Sequence, residues 1–113
     1  MCNKSKLEII TNKVVSAANE CLKDRLDKVY LYGSYARGDY NNESDIDIMI
    51  IADIPREEAR SVYKKIWSLI GNLDIEHEII ISIHVTDSKM YYQYINDLPF
   101  YMNVQREGIM LNA

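Results

Sequence analysis

The alternation of apolar and polar residues divides the chain into helical and extended segments. Apolar positions spaced three and four apart predict a first helix, with Ser5 and Glu8 at capping-box spacing, and a second helix that starts at Pro55. Runs of β-branched residues and regular alternation predict three strands, at 28–32, 45–51 and 76–85. Two shorter helices are predicted at 88–96 and 99–107, with room for a last strand at 109–111.

The predicted order of elements is α-β-β-α-β-α-α. This order is typical of an α+β fold, in which a mixed sheet carries its helices on one face. The length of 113 residues suits one domain, spanning 1–113, with a modest core and no second module.

Charge and composition exclude several classes of function. The net charge is −4, whereas domains that hold DNA or RNA are usually basic, so direct nucleic-acid binding is not expected. The first residues show no signal-peptide pattern, and no apolar run reaches the roughly 18 residues that a membrane span needs. Cys2 and Cys21 are compatible with a reducing cytosol, and we expect neither a metal site nor redox chemistry from them. The sequence therefore predicts a cytoplasmic protein.

Two carboxylates stand at the head of one of the most apolar stretches of the chain. Residues two apart in a strand point to the same side, so Asp45 and Asp47 share one face while Ile46, Ile48 and Ile50 share the other. Adjacent unpaired carboxylates repel each other, and a divalent cation removes that repulsion. Oxygen ligands on a rigid strand suit Mg²⁺, which also binds waters and phosphate oxygens.

The Gly33-Ser34 pair precedes these carboxylates and supplies complementary chemistry. Glycine lets the backbone pass close to a ligand, because it has no side chain. Ser34 would begin a helical turn whose outward N–H groups can hold phosphate, and Arg37 offers a cation nearby. A phosphate cradle beside a Mg²⁺-binding carboxylate pair is the equipment for phosphoryl or nucleotidyl transfer with two metal ions.

The spacing of these residues resembles that of a known family. Gly33-Ser34 is followed by ten residues and then by Asp45-Ile46-Asp47, and residues 33–38 read Gly-Ser-Tyr-Ala-Arg-Gly. Both patterns resemble the signature of the minimal nucleotidyltransferases, members of the polymerase β-like nucleotidyltransferase superfamily. The resemblance implies that Asp45 and Asp47 bind Mg²⁺, with two ions expected, and that Gly33 and Ser34 hold the nucleoside triphosphate, expected to be ATP.

Members of this superfamily usually carry a third carboxylate on a later strand. In the predicted strand 76–85, Glu78 lies opposite the apolar face and on the side of the two aspartates, so it is our candidate, acting on the side of the attacking hydroxyl. Glu76 has the same parity and remains an alternative, as does the absence of any third ligand. No cysteine or histidine stands at ligand spacing from His77 or His84, so both histidines are predicted to be structural.

The acceptor of the transferred group has no obvious binding domain in this chain. Larger relatives carry additional domains for that purpose, so a partner or self-association must complete the site. Aromatic residues and methionines, the types enriched in interface cores, crowd into residues 90–110, although a small domain also needs them for its own core. Minimal nucleotidyltransferases of this kind resemble the antitoxins that adenylylate a tyrosine of a helical HEPN-type toxin.

Three functions remain open at this point. The first is an enzyme that transfers AMP from ATP to a protein partner. The second is an antitoxin that neutralises its partner by binding alone, and the intact residues of the Gly-Ser and Asp-x-Asp motifs argue against it. The third is nucleotidyl transfer to a small molecule, which the missing acceptor domain makes less favourable.

Overall fold

The computed structural model describes residues 4–112, and Cys2 lies outside them. Short 3₁₀ turns at Lys23–Arg25 and Arg56–Glu58 precede β1 and α3. The elements follow one another as α1 (Lys4–Leu22), β1 (Leu26–Tyr32), α2 (Ser34–Arg37), β2 (Ile46–Ala52), α3 (Ala59–Ile70), α4 (Leu73–Glu76), β3 (Ile81–Asp87), α5 (Ser88–Tyr94), α6 (Pro99–Glu107) and β4 (Ile109–Met110). No helix within 4–112 is long and apolar enough to cross a membrane.

The four strands form one mixed sheet in the order β3-β2-β1-β4. β1 pairs antiparallel with β2 and β4, whereas β2 and β3 run parallel. The register places Asp47 of β2 between Tyr32 of β1 and Ser82 of β3. The predicted α+β fold with a mixed sheet is therefore confirmed, and this register determines which side chains surround the aspartates.

The main core lies between the sheet and the two long helices. Ile46, Ile48 and Ile50 are fully buried against α1 and α3, as the strand parity predicts. Cys21, the cysteine that the structure describes, is half-buried at the edge of this core. Burying such side chains stabilises the fold by roughly 1.5–3 kcal/mol each.

The opposite face of the sheet carries a second, smaller core. Its buried residues are Tyr30, Met49 and Ile51 of the sheet with Tyr91, Tyr101 and Val104 of α5 and α6. The expectation that all helices share one face is therefore wrong for the C-terminal pair. The physical reason is that β2 is apolar at both parities, and a strand of that kind is covered on both sides.

The third strand starts later than its alternating pattern predicts. Gly71 ends α3 with φ 65°, and Leu73, only 2% exposed, then anchors the extra helical turn α4. Glu78 then takes a left-handed φ of 52°, and β3 begins only at Ile81. The prediction of a strand from residue 76 is wrong, because the buried Leu73 begins a helical turn that continues as far as Glu76.

Candidate active site

Asp47 lies in the middle of the sheet, and Asp45 lies just before it. β2 begins at Ile46, one residue later than predicted, so Asp45 belongs to the loop that enters the strand. Both aspartates are half-buried. Asp47 therefore lies on the second face of the sheet, and the charge of Asp45 is close enough to affect it.

The electrostatic environment of Asp47 disfavours its ionised form. Burial raises the pKa of the Asp47 carboxyl, and the charge of Asp45 raises it further. His84 and Arg37 act in the opposite direction but do not outweigh burial. Among residues 4–112 no group of three potential ligand side chains surrounds a metal position. The site therefore offers a two-carboxylate oxygen pair whose repulsion a bound divalent cation would relieve, and these residues fit Mg²⁺.

Gly33 allows the phosphate-binding turn to close onto Asp47. Its φ of 75° and ψ of −155° define a conformation essentially restricted to glycine. A Cβ built at this position would overlap the Oδ2 atom of Asp47 and lie 3.3 Å from its Cγ. We predicted that this glycine makes room for a ligand, and in the structure it makes room for the aspartate.

Ser34 opens the short helical turn α2, as predicted. The Gly33 carbonyl accepts hydrogen bonds from the amides of Ala36 and Arg37, each at 3.1 Å. The first amides of such a turn have no partner within the turn itself, which is the property that suits them to an anionic ligand. The turn follows β1 directly, so its position beside Asp47 is fixed by the sheet.

Arg37 lies at the end of this turn and is held by two carboxylates. Its guanidinium Nε lies 3.1 Å from Asp39, and its Nη1 lies 3.3 Å from Glu107 of α6. The side chain is exposed, so both ion pairs are weak. Arg37 is near enough to Asp47 to affect its pKa, and a phosphate bound at Arg37 would compete with Asp39 and Glu107 for the guanidinium.

Glu78 is not on the strand where we placed it. It is exposed in the turn before β3 and lines a cavity of about 460 Å³ together with Asp45 and Asp74. The alternative, Glu76, is exposed at the end of α4. The β3 residue beside Asp47 is Ser82, so the strand-parity argument for Glu78 is wrong, and its role as a ligand stays a prediction that depends on the loop instead.

An aromatic cluster beside Asp47 was missed by the sequence analysis. The rings of Tyr32, His84 and Phe100 contact one another, with centroid separations of 5.6 to 6.4 Å. His84 is exposed on the same sheet face as Asp47 and does not lie in a core. Strand parity already placed Ser82 and His84 on the side of the aspartates, but we assigned His84 a structural role, and Phe100 on α6 had no local signal.

Burial also affects the hydroxyl of Tyr32. The side chain is half-buried next to Asp47, and burial together with that carboxylate raises the pKa of Tyr32. Tyr32 therefore stays neutral and contributes its ring to this surface.

Comparison with known proteins identifies the family to which the chain belongs. Residues 15–106 match the family model described as a nucleotidyltransferase domain. The chain belongs to this family. The nucleotidyltransferase is 34% identical over 97 residues to a putative protein adenylyltransferase of Methanocaldococcus jannaschii, a match that covers 86% of this chain and 89% of that protein. The resemblance drawn from the Gly-Ser and Asp-x-Asp motifs is confirmed at the level of the family.

Solved structures confirm the fold of this nucleotidyltransferase. A putative nucleotidyltransferase from Sulfolobus solfataricus superimposes with a TM-score of 0.56 at 20% identity, covering 96% of this chain and 87% of that one. A toxin–antitoxin complex with AMP-PNP contains a chain that matches with a TM-score of 0.54 at 22% identity, covering 89% of this chain and 71% of that one.

Proposed function

We propose that this nucleotidyltransferase transfers AMP from ATP to a tyrosine of a HEPN-type helical toxin and so acts as its antitoxin. The observation that carries the proposal is the contact of the Gly33 turn with Asp47, which joins a phosphate-binding element to a carboxylate pair. A relative named as a protein adenylyltransferase and a structural neighbour from a toxin–antitoxin complex with AMP-PNP support the choice of substrate and partner.

Each part of the site has a distinct task in this proposal. Asp45 and Asp47 would hold Mg²⁺, with Glu78 as a further candidate ligand from the neighbouring loop. The bound ions would lower the pKa of the acceptor hydroxyl and neutralise charge on the leaving pyrophosphate. Gly33 and Ser34 would orient the triphosphate through the first amides of α2. Arg37 would exchange a carboxylate partner for a phosphate oxygen.

The reaction exchanges one phosphorus–oxygen bond for another. The tyrosine oxygen forms a bond to the α-phosphorus of ATP, the bond from that phosphorus to the bridging oxygen breaks, and pyrophosphate leaves. The phenolic proton passes to solvent. A phenol ionises near pH 10, so it becomes a nucleophile more easily than an aliphatic hydroxyl. A HEPN-type toxin is expected to be a ribonuclease, so the added phosphate would place negative charge beside a site that holds anionic RNA and would weaken RNA binding.

Intact-mass spectrometry of the toxin tests this proposal. After incubation with this protein, ATP and Mg²⁺, the toxin should gain one or more AMP units, and the double variant Asp45→Asn/Asp47→Asn should add none. Asp53→Asn is the matched control, since it removes an exposed carboxylate just beyond β2 and should leave the mass gain intact. A toxin that is silenced by stoichiometric binding without any mass gain would refute AMP transfer and support the binding-only antitoxin.

A further inference from the structure

The aromatic cluster of Tyr32, His84 and Phe100 forms a built surface beside the carboxylates. Tyr32 meets Phe100 edge to face at 5.6 Å, and Phe100 meets His84 in the same way at 5.6 Å. The Phe100 ring also stacks on Tyr101, which is buried in the second core. Phe100 is thus held in place although 42% of it is exposed. A large aromatic ring that stays exposed to solvent because neighbouring rings fix its position is a candidate contact for a ligand.

The order of the strands places His84 on the side from which we infer that the acceptor attacks. The triphosphate turn follows β1, Asp47 belongs to β2 with Asp45 just before it, and His84 belongs to β3 on the far side of β2. Phosphoryl and nucleotidyl transfer need the attacking and leaving oxygens roughly in line on the phosphorus. If the pyrophosphate leaves over β1, the acceptor hydroxyl approaches over β3, next to His84 and Phe100.

We propose that Phe100 and His84 bind the aromatic ring of the acceptor tyrosine and so select a phenol over an aliphatic hydroxyl. This inference rests on the proposed function and adds the specificity-determining residues that it lacks. Aromatic rings attract one another in stacked or edge-to-face geometry beyond the effect of buried area. The phenol ring would rest on the exposed face of Phe100, and its oxygen would point toward the α-phosphate of a nucleotide bound at the Gly33 turn, beside Asp47. A serine or threonine has no ring to occupy this surface.

NMR observation of the protein's aromatic ring protons would test this inference without any AMP transfer. The protein is saturated with Mg²⁺ and AMP-PNP, and N-acetyl-tyrosinamide is then added while the ring proton signals of His84 and Phe100 are recorded. We expect saturable shifts of both signals, and none with N-acetylserinamide. Phe100→Leu, which keeps an apolar side chain but removes the ring, should weaken binding of the phenol by about 2- to 10-fold, the worth of one aromatic pair.

A matched control and a second readout distinguish loss of the phenol-binding subsite from general destabilisation and from loss of nucleotide binding. Tyr63 is exposed to a similar degree, 40%, but lies on α3, so Tyr63→Leu should leave phenol binding unchanged. In the mass assay, Phe100→Leu should raise the KM for the toxin more than it lowers kcat, with the Kd for ATP unchanged.

The outcomes are distinct for this inference and for the proposed function. Ring proton signals of His84 and Phe100 that shift when the nucleotide is added, and not when the phenol is added, would overturn the inference. The cluster would then bind the base of the nucleotide. Ring proton signals that do not shift when the phenol is added, while wild-type protein still transfers AMP, would refute the inference alone. Wild-type protein that transfers no AMP would refute the proposed function.

Discussion

Replacing Gly33 by alanine is the sharpest test of the site geometry. The new Cβ would overlap the Oδ2 atom of Asp47 and would force the turn and the carboxylate apart. The φ of 75° adds a backbone cost of roughly 1–3 kcal/mol for any residue with a side chain. A domain of this size has a free energy of unfolding of about 5–15 kcal/mol, so the variant should remain folded.

The effect on function should exceed the effect on stability. A displacement of about 1 Å at the reacting centre can cost on the order of 10²-fold in rate. We therefore expect Gly33→Ala to lower AMP transfer by about that factor and to weaken Mg²⁺-dependent ATP binding. Urea unfolding measures the stability, calorimetric titration of ATP with and without Mg²⁺ measures binding, and intact-mass spectrometry measures transfer.

Gly71→Ala is the matched control for this substitution. Gly71 has a similar backbone conformation, φ 65° and ψ −129°, but a Cβ there would meet nothing within 4 Å. Both variants should lose the backbone contribution to stability, and Gly33→Ala should lose somewhat more because of its overlap with Asp47, whereas only Gly33→Ala should lose ATP binding. Equal ATP affinity and equal transfer rates in the two variants would refute the claim that Gly33 positions the phosphate turn against Asp47.

Four further predictions follow from the same structure. Asp47→Asn should raise the free energy of unfolding measured in urea at pH 7. The pKa of Asp47 is higher in the folded protein than in the unfolded chain, so its carboxyl stabilises the fold fully only below the unfolded pKa. That stabilisation is lost as the pH rises through the folded pKa, and asparagine avoids the loss. Glu107→Gln should remove one of the two ion pairs of Arg37 and tighten ATP binding modestly in calorimetry, with a difference that shrinks at high salt, and unchanged affinity would show that the guanidinium does not reach the phosphates. Glu78→Gln should slow AMP transfer with little change in ATP affinity, and normal turnover would remove Glu78 from the ligand set. Burial raises the pKa of Tyr91 to about 12, so stability should fall between about pH 10 and that value, and Tyr91→Phe should abolish this part of the pH dependence of urea unfolding.

The residues of the phosphate turn and the carboxylate pair could be predicted because their geometry is local. Gly33 and Ser34 follow directly on β1, and Asp47 lies within β2, so sequence spacing and strand parity determine their positions. The pairing of β1 with β2 then brings the turn and the carboxylate together. Few long-range contacts are needed to build this half of the site.

The third-carboxylate position and the aromatic cluster depend on information that alternation does not contain. The alternation of apolar and polar residues starts at Glu76, but β3 begins only at Ile81, because residues 73–76 form the extra helical turn α4. Phe100 reaches the site because α6 packs against the second face of the sheet. Met49, fully buried at the opposite parity from its neighbouring isoleucines, was the signal in the sequence that this face is covered.

The division of the sheet into a large and a small core determines which wall of the active site can move. Asp47 lies on a strand anchored by the main core, whereas α6 carries Phe100 and Glu107 and packs mainly in the small core. Segments with fewer buried contacts open at lower free energy, so amides of α5 and α6 should exchange with deuterium well before those of β1 and β2. Docking of the proposed toxin on α6 should slow that exchange, because the new contacts would add to the few that hold this helix on the sheet.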